Sequence, residues 1–220
     1  SLPNDAAAIP AFARKYKVSC NLCHNPFPAL TAFGEQFAGN GFRMAIDEEP
    51  KDTIATGDDL LTLPANVPLA LRLDAYAQLY ADGKAATDFQ LPFNLKLLSG
   101  GTLGKKLSYY IYFLFAERGE VAGVEDAFIY WNDIADAPVD LAVGQFQVSD
   151  PMFKRELRLE VLDYAIYKVL VGLQPANLTY DRGLMASADL AGFTFTATLV
   201  NGDGIPAANE LFRYDNDANK

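Results

Sequence analysis

Cys20, Cys23 and His24 are the residues of this chain best suited to chemistry. They stand in the run Cys20-Asn21-Leu22-Cys23-His24 and are both cysteines and the single histidine of a 220-residue chain. Two thiols separated by two residues, with an imidazole directly after the second, match the attachment pattern of a c-type haem. The thiols add to the haem vinyl groups as thioethers, and the imidazole becomes an axial ligand of the iron. The spacing lets both sulfurs reach one edge of the porphyrin, so that the histidine falls beneath the ring.

Other chemistries use these residues less well. A structural zinc site takes four ligands, and Asp or Glu would have to complete the set. A thioredoxin-like pair expects a βαβ context, and the residues that follow show none. A plain disulfide between Cys20 and Cys23 is the main alternative.

His24 is the expected proximal ligand, with a backbone carbonyl of the 25–29 turn accepting its ring N–H. No second histidine exists to ligate from the far side. The methionines are Met44, Met152 and Met185. Met44 is close enough in sequence to fold back over the haem, where a thioether would raise the reduction potential relative to a second imidazole. Its alternative role is filling a core gap. Met152 comes second, and an amine, a tyrosine or a partner's side chain stay open. Phe33 and Phe37 are candidates for a haem-pocket wall or for ordinary core. Arg14, Lys15, Lys17 and Arg43 are the nearest cations in sequence, and at least one is expected on a haem propionate.

Three regions must position these groups. Residues 1–46 form the haem-attachment segment, with a helical lead over Ala11–Tyr16. Leu30, Phe33 and Phe37 mark one face of a second helix, which Gly39-Asn40-Gly41 ends. Residues 47–66, with Pro50, Gly57 and Pro64, predict a linker. From Val67 the period becomes two: Leu69, Leu71 and Leu73 alternate with Ala70, Arg72 and Asp74. Further strands are predicted over 89–98, 103–116, 125–132, 139–146, 178–190 and 193–201, with turn signals such as Ser99-Gly100-Gly101 between them. The fold class is therefore mainly β with a short α-helical N-terminal segment. The strands form an antiparallel meander that closes or curves into a barrel or half-barrel. Over 149–172 the alternation lapses, and Lys154, Arg155 and Arg158 interleave with leucines as an amphipathic helix or inserted loop.

One strand face is apolar and the other carries Arg72, Asp74, Asn94 and Lys96. A soluble sheet with one wet face has this pattern, and so does an outer-membrane barrel that is apolar toward lipid. Tyr109, Tyr110, Tyr112, Tyr130 and Trp131 suit either an interfacial girdle or a core. Seven or eight strands and the polar tail Asp215–Lys220 predict an open sheet that needs a partner, or one missing further strands.

With 28 acidic and 18 basic residues, the net charge of −10 excludes nucleic acid as a partner. A basic redox partner suits it. No apolar run is long enough for a transmembrane helix. The start Ser1-Leu2-Pro3 is expected to follow removal of a secretory signal. Together with haem attachment, which in bacteria occurs outside the cytoplasmic membrane, this predicts an exported protein on the periplasmic side or at the outer membrane.

The stretch Ile9–Tyr16, the Cys20–His24 run, Phe33-Gly34-Glu35 and Asn40-Gly41-Phe42-Arg43 together resemble a family of bacterial monohaem cytochrome c proteins. In that family a haem-attachment segment precedes a β-rich, porin-like region. The specific part covers residues 9–43, and the Val143-Gly144-Gln145-Phe146 strand is similar to the downstream region. The resemblance implies one covalent haem c and electron transfer at the periplasmic face. This chain departs from a full porin-like length, which puts pore formation in doubt.

The leading expectation is thus an electron carrier, a subunit of a larger redox complex with protein redox partners and possible membrane association. A haem protein with an open distal site, binding a gas or acting as an oxidoreductase, is one alternative. The lack of a distal histidine or acid–base pair near the motif argues against peroxidase-type chemistry. A porin-like subunit with a relay haem is the other alternative.

Overall fold

In the computed structural model the alternating segments become one antiparallel sheet, and the motif-bearing residues pack on one of its faces. The structure describes residues 10–45, 48, 53–57, 62–80, 86–117, 120–121, 123–148 and 180–201. Three short helices come first: α1 (Ala11–Tyr16), α2 (Cys20–Cys23) and α3 (Ala32–Gly39). A two-stranded hairpin, β1 (Thr53–Ala55) with β2 (Thr62–Pro64), occupies part of the expected linker. The sheet follows: β3 (Leu69–Tyr80), β4 (Ala86–Thr102), β5 (Leu107–Glu117), β6 (Gly123–Trp131), β7 (Asp140–Gln147), β8 (Tyr180–Leu190) and β9 (Phe193–Val200).

Strand order in the sheet equals chain order, with each strand antiparallel to the next. The expected meander is therefore present, and among the described residues it is open, because β3 and β9 do not pair with one another. The inserted segment predicted over 149–172 lies outside the described residues.

One turn expectation fails. Ser99-Gly100-Gly101 does not reverse the chain; β4 runs on to Thr102, and the reversal comes where the Leu103 N–H donates to the Leu107 carbonyl. Gly100 instead makes room. It stands opposite Tyr110, and a Cβ there would lie 3.1 Å from Phe12 Cζ on α1.

The two sheet faces differ sharply. Tyr109, Ile129, Val143, Leu184 and Leu199 form one cross-strand row. The last four of these are 42–58% exposed. On the opposite, inner face, Asn94, Lys96, Ser108, Asp126 and Asn132 are buried. Exposed large apolar groups and buried polar ones are the informative exceptions to ordinary burial. Here the inner face mixes these buried polar groups with buried Tyr112, Leu114 and Phe146, and the outer face is mostly exposed apolar groups.

The N-terminal helices dock on the inner face. Phe42 stacks on Tyr110 with ring centroids 4.6 Å apart, Phe12 stacks on Phe42 at 5.5 Å, and Phe37 meets Phe12 edge-on at 5.1 Å. Arg14 donates to the Leu69 carbonyl at 2.9 Å, and the wholly buried Arg43 guanidinium donates to the Lys105 carbonyl. Gly41 makes the approach possible. Its φ is +69°, and a Cβ there would fall 2.3 Å from Ser108 Oγ.

Gly41→Ala is expected to weaken docking by about 1–3 kcal/mol, the range for a non-glycine forced into a left-handed conformation. Faster protease cleavage within 39–45, with an unchanged sheet signal in circular dichroism, is the expected readout. Unchanged cleavage would show that this turn does not control docking.

Candidate haem site

The motif occupies a single helical turn. Ser19 caps α2 by accepting the Asn21 N–H, and the His24 N–H closes the turn on the Cys20 carbonyl at 3.0 Å. The chain then loops back, the Asn25 N–H donating to the Ala29 carbonyl at 3.1 Å. Thr31 clamps the loop. Its N–H donates to the Cys23 carbonyl at 2.9 Å, its hydroxyl donates to the Leu22 carbonyl at 2.6 Å, and the same oxygen accepts the Gly34 N–H at the start of α3. Gly34 allows α3 to press against α2, since a Cβ there would lie 2.3 Å from the Cys23 carbonyl oxygen.

His24 Nδ1 lies 2.9 Å from the Pro28 carbonyl oxygen. A carbonyl only accepts, so Nδ1 carries a proton, and in the neutral ring that leaves the lone pair on Nε2. This is the carbonyl expected in the 25–29 turn, and it orients the ring as a metal-binding histidine requires. Phe27 packs beside the imidazole, with centroids 5.1 Å apart.

Cys20 is exposed and Cys23 half-buried, and both are free thiols. Burial first, then the neighbouring Cys20, pushes the Cys23 thiol above its usual value. Among the described residues no group of three His, Cys, Asp or Glu side chains could hold a metal ion, which leaves a zinc set incomplete there. The residues fit a haem better: two thiols on one turn, an imidazole directly after the second, and exposed Leu22, Phe27 and Phe33 nearby in sequence for an apolar ring to cover.

The other candidates divide. Phe33 is exposed, whereas Phe37 is buried among Phe12, Tyr16 and Phe42. Arg43 sits in the junction with the sheet. Burial lowers its proton affinity, and the nearby Glu48 carboxylate is the largest influence opposing that. Met44 is exposed, with its N–H on Glu48. Met185 is buried on the inner face beside Tyr130, Ala142 and Phe146, and Met152 lies outside the described residues. Of the neighbouring cations, Arg14 binds the Leu69 carbonyl, Lys15 pairs with Glu48 at 2.9 Å, and Lys17 caps α1 in a left-handed conformation.

A cation remote in sequence meets the Phe27 ring that packs on His24. Arg72 of β3 places its guanidinium carbon 5.1 Å from the Phe27 ring centroid. Nothing in the local sequence marks it, since it is one of many polar residues alternating along a strand.

Glu48 acts as a clasp beside Met44. It accepts from Lys15, from Tyr16 at 2.9 Å and from the Met44 N–H at 2.9 Å. Burial opposes its ionisation, but these donors outweigh it and hold its pKa below the usual 4.5. A depressed folded-state pKa gives stability that is complete above 4.5 and lost as pH falls through the lower folded value. Acidification below the free-Glu range is therefore expected to lower the thermal midpoint of the native chain more than that of Glu48→Gln. Parallel pH profiles for the two would remove the clasp.

A scan against protein-family models, a search of curated proteins and a search of solved structures each find no match for this chain.

Proposed function

We propose that this chain is a c-type monohaem electron-transfer protein, cycling one electron between Fe(III) and Fe(II). The observation that carries the reading is the His24 ring. The Pro28 carbonyl engages Nδ1, so that Nε2 is the ring nitrogen left for a metal, on the residue that caps the Cys20–Cys23 turn. When bound, haem c supplies the redox chemistry. The residues of the chain bind it, orient it and set its surroundings.

On this reading Cys20 and Cys23 hold the haem covalently and His24 ligates the iron. Met44 is assigned to the sixth position, because of the described methionines it is open to solvent while Met185 is buried in the sheet. Two filled axial positions suit a carrier, since no substrate then reaches the metal.

The sheet supports a place at a membrane. Its outer face is largely apolar, with polar Gln145 and Arg182 in one row, and most of its strands have 8 to 12 residues. Strands of about 9–11 residues cross a bilayer when tilted. A face this apolar needs a cover, and the helices pack on the opposite side. We read the outer face as lipid-facing at the outer membrane, with the haem module on the inner side. Periplasmic redox proteins are the expected partners, within a larger complex.

Visible and near-infrared spectra of the exported full chain test this. A low-spin c-type spectrum, unresponsive to carbon monoxide and carrying a methionine-to-iron band that Met44→Ala abolishes, is the expected outcome. A high-spin spectrum that shifts with carbon monoxide would replace the carrier by a protein with an open iron. A spectrum unchanged in Met44→Ala would remove Met44 from the site.

A further inference from the structure

The sheet reaches the motif at one place. Arg72 and Asp74, two residues apart on the inner face of β3, form an ion pair at 2.8 Å, with both side chains largely shielded from solvent. Asn94 of β4, directly opposite Asp74, donates to the second carboxylate oxygen at 3.2 Å and fixes the acid. From this pair the guanidinium extends over the Phe27 ring at 5.1 Å, and Phe27 packs on the His24 ring at the same centroid distance.

An arginine over an aromatic face is held by the ring quadrupole. The order Asn94, Asp74, Arg72, Phe27, His24 is therefore a continuous mechanical and electrostatic path from the sheet to the imidazole. Phe27 is 60% exposed and has little else to restrain it. Two short steps place the guanidinium within about one Debye length of the imidazole at ordinary ionic strength. The pair's partial burial weakens screening further.

We propose that Arg72 and Asp74 are positioning residues that tune the reduction potential of the His24-ligated haem and hold the imidazole plane through Phe27. The inference rests on the haem reading above. A positive charge near the iron disfavours the more positive ferric state and raises the potential; a negative charge lowers it. The native pair nearly cancels. Arg72→Gln removes a positive charge and Asp74→Asn a negative one, so the two changes act in opposite directions.

The test is spectroelectrochemical titration of the full-length holoprotein, with electron paramagnetic resonance of the ferric form. Arg72→Gln is expected to lower the midpoint potential and Asp74→Asn to raise it, while Arg72→Lys stays near the native value. Phe27→Leu is expected to change the g-values, which report the orientation of the axial imidazole. A purely structural ion pair would alter stability without giving shifts of opposite sign. Potentials that stay put, or move the same way in Arg72→Gln and Asp74→Asn, would overturn the inference. If Arg72→Gln fails to fold, the rise in Asp74→Asn and the retention in Arg72→Lys still decide it. Absence of haem from the native chain would overturn the haem reading itself, an outcome separate from either result.

Discussion

The close approach of the Asn40–Arg43 turn to the inner face of β5 and β6 is the constraint on which the structure depends. Gly41 sits against Ser108 and Tyr130, in a space no side chain could share. That contact lets the next residue, Phe42, stack on Tyr110 and the one after it, Arg43, reach the Lys105 carbonyl. Phe12 and Phe37 complete the aromatic cluster, tying α1 and α3 to the same point. With α3 fixed, Thr31 and Gly34 fix α2, and α2 carries the two thiols and the histidine. The candidate haem site thus inherits its position from a turn well downstream of it.

The second organising feature is the difference between the two faces of the sheet. Burial of apolar surface drives packing in water, and the helical module covers the inner face, where Tyr110, Tyr112, Tyr130 and Phe146 lie among buried polar groups such as Ser108 and Asp126. That choice has a local logic. The inner face offers exposed backbone and aromatic partners, and the module brings Arg14, Arg43 and Phe42 to meet them. The outer face is mostly aliphatic and aromatic, with Ser99, Gln145 and Arg182 in the row of Ile111 and Ala127. The proposed lipid-facing placement rests on the largely apolar outer face and would need its open β3 and β9 edges paired or covered.

Much of this was legible in the sequence, and the reasons differ by element. The strand faces follow from alternation, because a slip of one residue would exchange the faces of an entire strand, whereas the register shifts at Asp74, Leu95 and Tyr112 left no mark in the pattern. Leu69, Leu71 and Leu73 therefore announced their side of the sheet before any pairing was known. The motif was legible for the same local reason, as was the carbonyl that holds the His24 ring. Long-range juxtaposition was not legible. Gly100 looked like a turn because glycine has several uses, and only Phe12 packing above it shows which one applies. Arg14, Lys15 and Arg43 stood near the motif in sequence but are engaged by Leu69, Glu48 and Lys105. Arg72, distant in sequence, is the cation the fold delivers beside Phe27.

The central claim is that Cys20 and Cys23 carry a haem covalently. Mass spectrometry of peptides from the exported chain, after denaturation and acid-acetone extraction to strip any loosely held porphyrin, tests it most directly. The account predicts that the peptide spanning Cys20 to His24 retains one haem through both sulfurs. Recovery of that peptide with unmodified thiols, or with Cys20 and Cys23 joined as a disulfide, would contradict it.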